Sequence, residues 1–208
     1  MRTLAAWQNG GFVLSALGVL LAAIAGCDKS DGRKVLDMPE RTGLVTMKGN
    51  PVTLIGKATQ VGQKAADVEL VANNLSTVKL SSFAGKVRII TSVPSLDTSV
   101  CDLETRRFNT EAGGLGDEVV VLAVSMDLPF AQARWCGAAG VKNVQTLSDH
   151  REAAFGTAYG VLIKDLRLLA RAVFVLDKNG VIRYQELVKE VATEPNYEAA
   201  LKAARELL

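Results

Sequence analysis

From residue 44 onward the apolar positions fall into short β-branched runs, and between these runs they recur every three or four residues. The two rhythms mark strands and helices in turn. Residues 44–46 and 52–55, joined through Lys48-Gly49-Asn50, predict a hairpin, and residues 67–72 and 77–80 flank the turn signal Asn73-Asn74. Residues 87–93 and 118–125 are continuous β-branched apolar runs, the pattern of strands buried on both faces. A helical pattern follows Cys101 and ends near Gly113-Gly114, and a second covers residues 130–139 with Gly140 as its stop. Residues 144–147 predict a short strand, and residues 151–159 a helix closed by Gly160. Residues 172–176 and 181–186 bracket Asp177-Lys178-Asn179-Gly180, a strong hairpin turn, and residues 196–208 form an amphipathic terminal helix. The alternation predicts an α/β domain spanning residues 43–208, with an N-terminal β-hairpin ahead of its core.

The chain upstream follows another pattern. Residues 12–26 are apolar, preceded by Arg2 and the free amine, a length and flank that fit a secretory signal better than a stable transmembrane helix. The run stops at Ile24-Ala25-Gly26-Cys27, which resembles a bacterial lipobox. That resemblance implies a signal peptide over residues 1–26, lipidation of Cys27 and a polar tether over residues 27–42. The protein would then sit on a bacterial cell membrane, lipid-anchored, facing the periplasm or the cell exterior. An uncleaved membrane anchor, or an ordinary signal with Cys27 incidental, are the alternatives.

Composition narrows the chemistry. The chain has 208 residues, enough for one well-buried domain, with 24 Lys and Arg against 22 Asp and Glu. Arg2 is the only charged residue among the first 26, so the remainder is close to neutral. A near-neutral chain has no electrostatic footprint for nucleic acid. One histidine and three scattered cysteines, with no C-x-x-C or H-x-x-x-H pair, predict no metal site and no bound cofactor.

The stretch from Thr91 to Asp102 carries the most chemical information. Pro94 cannot continue the strand ladder, and Ser95, Asp97 and Thr98 are loop and N-cap types. Cys101 therefore falls in or beside a first helical turn, where unpaired backbone N–H groups and the helix dipole favour a thiolate over a thiol. A thiolate at the end of a buried strand is a nucleophile.

The spacing Pro94, Thr98, Cys101 resembles the peroxidatic-cysteine motif of peroxiredoxins, and the likeness extends in order from about Gly43 to the C-terminus. Residues 45–54 look like the opening hairpin of the thiol peroxidase branch. Asp127-Leu128-Pro129-Phe130-Ala131-Gln132-Ala133-Arg134-Trp135-Cys136-Gly137 looks like its resolving-cysteine segment, and residues 169–175 and 194–201 match two further segments. One departure is Ala66, where the family commonly has proline before the aspartate. The resemblance implies a thioredoxin-like fold and an atypical two-cysteine mechanism. Cys101 would attack a hydroperoxide, hydrogen peroxide or an organic one, and become a sulfenic acid. Thr98 would hydrogen-bond the thiolate and the peroxide, Arg171 would stabilise both, and Pro94 would shield the sulfur. Cys136 would close an intramolecular Cys101–Cys136 disulfide, which a thioredoxin-like reductant would reopen. A homodimer is also implied.

A permanent structural disulfide between Cys101 and Cys136, in a thioredoxin-like lipoprotein without peroxidase activity, is the bland alternative for an exported protein. A thiol–disulfide carrier is another, though such proteins use a C-x-x-C loop. Among other candidates, His150 reads as a helix-start or surface residue, and Arg106 and Arg107 as a solvated helix face from which one could support the site. Arg134 reads as surface, and Trp135 as packing for the helix that carries Cys136.

Overall fold

A computed structural model describes residues 38–208. The leader, Cys27 and most of the expected tether lie outside the described residues.

The strands expected to be buried form the centre of a seven-stranded sheet. Strands β5 (Val87–Ser92) and β6 (Val119–Ser125) pair in parallel, and β7 (Val144–Ser148) adds in parallel to β6. On the other side β10 (Ala172–Leu176) runs antiparallel to β5 and is followed by β11 (Ile182–Leu187). Strands β3 (Glu69–Ala72) and β4 (Thr77–Lys79) complete the edge beside β7, giving the order β11-β10-β5-β6-β7-β3-β4. All six residues of β5 are buried, as its unbroken apolar run requires.

The strand period of two divides these side chains between two cores. Ile90, Leu122 and Val124 face one core, with Phe155, Tyr159 and Phe174. Val87, Ile89, Val121 and Ala123 face the other, against helices α1 (Ser99–Ala112) and α4 (Tyr197–Arg205) through Phe108, Tyr197 and Leu201. Each fully buried large aliphatic or aromatic side chain contributes about 1.5–3 kcal/mol of hydrophobic stabilisation. Helix α2 (Pro129–Ala139) lies against β7 and starts on proline at its first helical position, where the missing N–H costs nothing.

The opening hairpin is longer than its sequence pattern. Strand β1 (Glu40–Met47) begins four residues before residue 44, and pairs with β2 (Asn50–Ile55) with a register shift between Arg41 and Val45. Two strands with no sequence signal, β8 (Leu162–Ile163) and β9 (Leu168–Leu169), extend it into a second sheet of order β1-β2-β8-β9. At two residues each they are too short for any periodicity to register. Gly56 (φ +99°) lets this sheet approach the main body, because a Cβ there would collide with the Thr157 carbonyl.

The helix expected over residues 151–159 shrinks to α3 (Ala154–Ala158). Asp149 explains the late start. Its carboxylate accepts from Phe155 N at 3.0 Å and Gly156 N at 2.8 Å, and Ala153 is left-handed (φ 51°), so residues 151 and 152 form a turn ahead of the helix instead. The terminal helix stops at Arg205, three residues short of the pattern's end.

Candidate active site

Strand β5 delivers the chain to a loop that Asp127 fixes. The Asp127 carboxylate accepts from Ser95 Oγ at 2.7 Å, Leu96 N at 2.8 Å and Ser125 Oγ at 2.8 Å. Pro94 is buried within this loop. Thr98 then occupies the N-cap of α1 with extended backbone, but its hydroxyl caps no backbone N–H. Thr98 Oγ1 lies 2.8 Å from Cys101 Sγ, on the third helical residue, and 3.0 Å from the Ser95 carbonyl. The cap position has been given over to the sulfur.

Cys101 has no solvent exposure. Arg171, between β9 and β10, donates from Nη2 to Cys101 Sγ at 3.3 Å. Its Nε donates to the Val191 carbonyl at 2.9 Å, and its NH1 pairs with Glu104. Glu104 also accepts from Thr91 Oγ1 of β5. Both members of the ion pair are enclosed, at 1% and 0% exposure of the side chains, and such a pair holds only when each charge is satisfied. Burial pushes the Glu104 carboxyl up to about 7, against the opposing pull of Arg171 and Thr91. Burial works against the Arg171 charge, yet Glu104 and Cys101 together hold it above its ordinary value. Arg171 therefore stays cationic, and the sulfur faces one permanent charge and one hydroxyl. This arrangement suits a thiolate and offers donors to an incoming oxygen.

Beside Thr98 and Arg171, the two residues that meet the sulfur, a cavity of about 290 Å³ is lined also by Met47, Lys48, Pro94 and Val191, among others. The site residues expected from sequence around Cys101, namely Pro94, Thr98 and Arg171, are thus brought to one place. Glu104 was missed, although one signal was legible. It lies three residues after Cys101, on the helix face that also carries Thr105 and Phe108, all of them buried. A carboxylate on a buried face needs a partner.

Cys136 lies elsewhere, half-buried on α2, and both cysteines are free thiols here. Its Sγ is 3.3 Å from Thr146 Oγ1 and 3.9 Å from Asn73 Nδ2, beside an open groove of about 490 Å³. Trp135 belongs to one buried cluster with Val93, Leu96 and Cys101, against which Cys136 packs. Its Nε1 donates to Asp102 Oδ1 at 2.9 Å. Arg106 is more than a solvated residue. It bridges Asp102 at 2.9 Å and the carbonyl of Ala139 at 2.8 Å, tying α1 to the end of α2. Arg107 stacks 4.0 Å over the Tyr197 ring, away from the sulfur. Arg134 makes an exposed pair with Asp97 at 3.4 Å, and His150 contacts Ser148 Oγ at 2.9 Å ahead of α3.

A buried thiol in the first turn of the helix that follows a central strand, set between a hydroxyl and an arginine, is the arrangement of a redox-active class of α/β domain. Residues 60–201 match the Redoxin family model. The chain is 56% identical over 164 residues to the thiol peroxidase of Bacillus subtilis (strain 168), covering 79% of this chain and 98% of that protein. It is 53% identical over 164 residues to the thiol peroxidase of Streptococcus pneumoniae (strain ATCC BAA-255 / R6), covering 79% and 100%. The solved structure of a peroxiredoxin-like protein from Aquifex aeolicus superposes with a TM-score of 0.75 at 43% identity, covering 82% of this chain and 99% of that one. The chain belongs to the peroxiredoxin family, in its thiol peroxidase branch, and its fold is thioredoxin-like with an N-terminal hairpin extension.

Proposed function

We propose that this thiol-dependent peroxidase, an antioxidant oxidoreductase, works through Cys101 as the peroxide-attacking sulfur and Cys136 as the resolving one. The observation that carries the reading is the placement of Thr98 Oγ1 at 2.8 Å and Arg171 NH2 at 3.3 Å around one buried sulfur. The Cys101 thiolate attacks the terminal oxygen of a hydroperoxide, the O–O bond breaks, and the departing oxygen takes a proton to leave as water or an alcohol. Arg171 and Thr98 donate to the oxygens as charge moves onto the leaving one, and Pro94 keeps bulk water from the sulfur. The Cys101 sulfenic acid then condenses with the Cys136 thiol, releasing water and forming a disulfide. Both sulfurs sit in helices, so the pairing draws on local unwinding of α1 and α2. An external dithiol, supplied by a thioredoxin-like protein, returns the enzyme to its reduced state.

The sequence before the described residues supports lipidation of Cys27 and a place on the outer face of a bacterial cell membrane. A reductant outside the cytoplasm follows from that placement. A homodimer accords with the family resemblance and with the exposed Leu128 and Phe130 at the start of α2. Catalytic consumption of hydrogen peroxide or cumene hydroperoxide with a dithiol reductant tests the enzymatic reading, and insulin-disulfide reduction without peroxide turnover would replace it with a carrier role. Intact-mass spectrometry of the membrane-extracted protein tests the anchor: the expected chain starts at Cys27 and carries acyl mass, and an unprocessed Met1 would end that part of the reading.

A further inference from the structure

The cavity beside Thr98 and Arg171 has two walls that come from segments far apart in sequence. One is the end of β1 and the turn into β2, which contribute Met47 and Lys48, and the other is the loop after β11, which contributes Val191 and Ala192. A carboxylate joins them side chain to backbone. Glu190 Oε2 accepts from Thr46 Oγ1 at 2.7 Å and Gly49 N at 3.0 Å, and Oε1 accepts from Lys48 N at 2.9 Å and Ala192 N at 3.0 Å. Both carboxylate oxygens are therefore committed to two donors each. Backbone bonds from Thr46 N to Lys189 O at 2.7 Å and from Val191 N to Thr46 O at 2.9 Å run alongside.

Two further observations make this carboxylate more than a surface contact. The turn it holds is left-handed at both central residues, Lys48 (φ 53°) and Gly49 (φ 79°), and lysine adopts that conformation unwillingly. Glu190 binds the N–H groups of both those residues. Its four donors also pull the carboxyl down to about 2, with the Thr46 hydroxyl the largest contributor, so it stays ionised across the working pH range. Next to it, the Val191 carbonyl receives the Arg171 Nε–H at 2.9 Å.

We propose that Glu190 is a positioning residue that sets substrate selectivity: it holds the Met47–Lys48 turn against the Val191–Ala192 loop, and so shapes the apolar wall that receives the organic group of a hydroperoxide. The inference rests on Cys101 being the attacking sulfur. Hydrogen peroxide has no organic group to place against that wall, whereas an aryl or alkyl hydroperoxide gains its extra binding there. Loosening the wall therefore changes the preference between the two substrates. A disturbance passed only through Arg171 would slow both alike.

The test is the ratio of second-order rate constants for Cys101 oxidation by cumene hydroperoxide and by hydrogen peroxide, measured by stopped flow on the reduced enzyme. Glu190→Gln keeps the shape but turns an amide N–H₂ toward two donors, and the ratio is expected to fall about tenfold, a loss of about 1.4 kcal/mol of discrimination. Thr46→Val removes a single donor and should lower the ratio about two- to threefold, so it keeps the inference testable if Glu190→Gln does not fold. An unchanged ratio in a folded variant, whether or not both rates fall, would overturn the inference. A wild-type Cys101 inert to both peroxides would overturn the reading of the site instead.

Discussion

Around Cys101, Arg171, Glu104 and Thr91 are buried and bonded in series, Arg171 on the sulfur, Glu104 behind Arg171 and Thr91 behind Glu104, while the exposed Thr98 reaches the sulfur with its hydroxyl. Around Cys136 the neighbours are Thr146 and Asn73 at longer range, beside an open groove. The two sulfurs share a domain and a helical setting, yet only one is given a fixed positive charge. The difference accords with the roles proposed for the two sulfurs. An attacking sulfur gains from charge held rigidly in a dry site, where electrostatic interactions are strong. A sulfur that must travel to a partner, and then be reached by a reductant, gains from weak contacts and access.

Replacing the sulfurs breaks the comparison most severely. Cys101→Ser should abolish the reaction with peroxide, while Cys136→Ser should still consume about one equivalent before stalling; peroxide consumption per mole of reduced protein gives the answer. Arg171→Lys keeps the charge but loses the planar fork that engages Cys101, Glu104 and Val191 together. Oxidation of Cys101 should slow about ten- to a hundred-fold, equivalent to about 1–3 kcal/mol, in stopped-flow measurements. Arg134→Lys, on the exposed pair with Asp97, should leave that rate nearly unchanged and serves as the control.

Glu104 sharpens the contrast through pH. Its folded value lies near 7 against an ordinary 4.5, so the unfolded chain releases the proton first as pH rises. The stabilising share of the neutral carboxyl is complete below about 4.5 and is lost as pH rises through about 7. In urea unfolding across that window, Glu104→Gln should show a flatter decline in stability than the wild type. An identical slope in both proteins would mean that Glu104 is ionised throughout.

The smallest expected effect concerns the contact between the two regions. The residue after Cys101 is Asp102 and the residue before Cys136 is Trp135, and they are joined at 2.9 Å. On the proposed mechanism, that bond opposes the meeting of the sulfurs. Trp135→Phe removes it while keeping most of the packing, so disulfide closure after one equivalent of peroxide should quicken about two- to tenfold, the worth of one hydrogen bond of about 0.5–1.5 kcal/mol. Rapid quenching with a thiol alkylator reads the closure directly, and slower closure would show that Trp135 guides the two helices together.

What the sequence revealed and what it hid have physical causes. The buried strands were legible because β-branched runs flanked by turn residues have few other readings, and β10 falls exactly on residues 172–176. Pro94, Thr98 and Cys101 were legible because they are close in sequence and each is an unusual choice for its place. Arg171 was named only through family likeness, since nothing local distinguishes a lone arginine before a strand. Glu104 and Glu190 stayed hidden because their partners lie tens of positions away, and a carboxylate on a helix or loop ordinarily faces water. The strands β8 and β9 stayed hidden because pairing with β2, and not their own composition, makes them strands.

The central claim is that Cys101 attacks peroxide and Cys136 resolves the product, and sulfenic-acid trapping tests it most directly. Reduced Cys136→Ser protein, treated with one equivalent of hydrogen peroxide in the presence of dimedone, should carry a single adduct on the peptide containing Cys101, located by tandem mass spectrometry. Absence of that adduct, together with a dimedone adduct on Cys136 in the Cys101→Ser protein, would contradict the account.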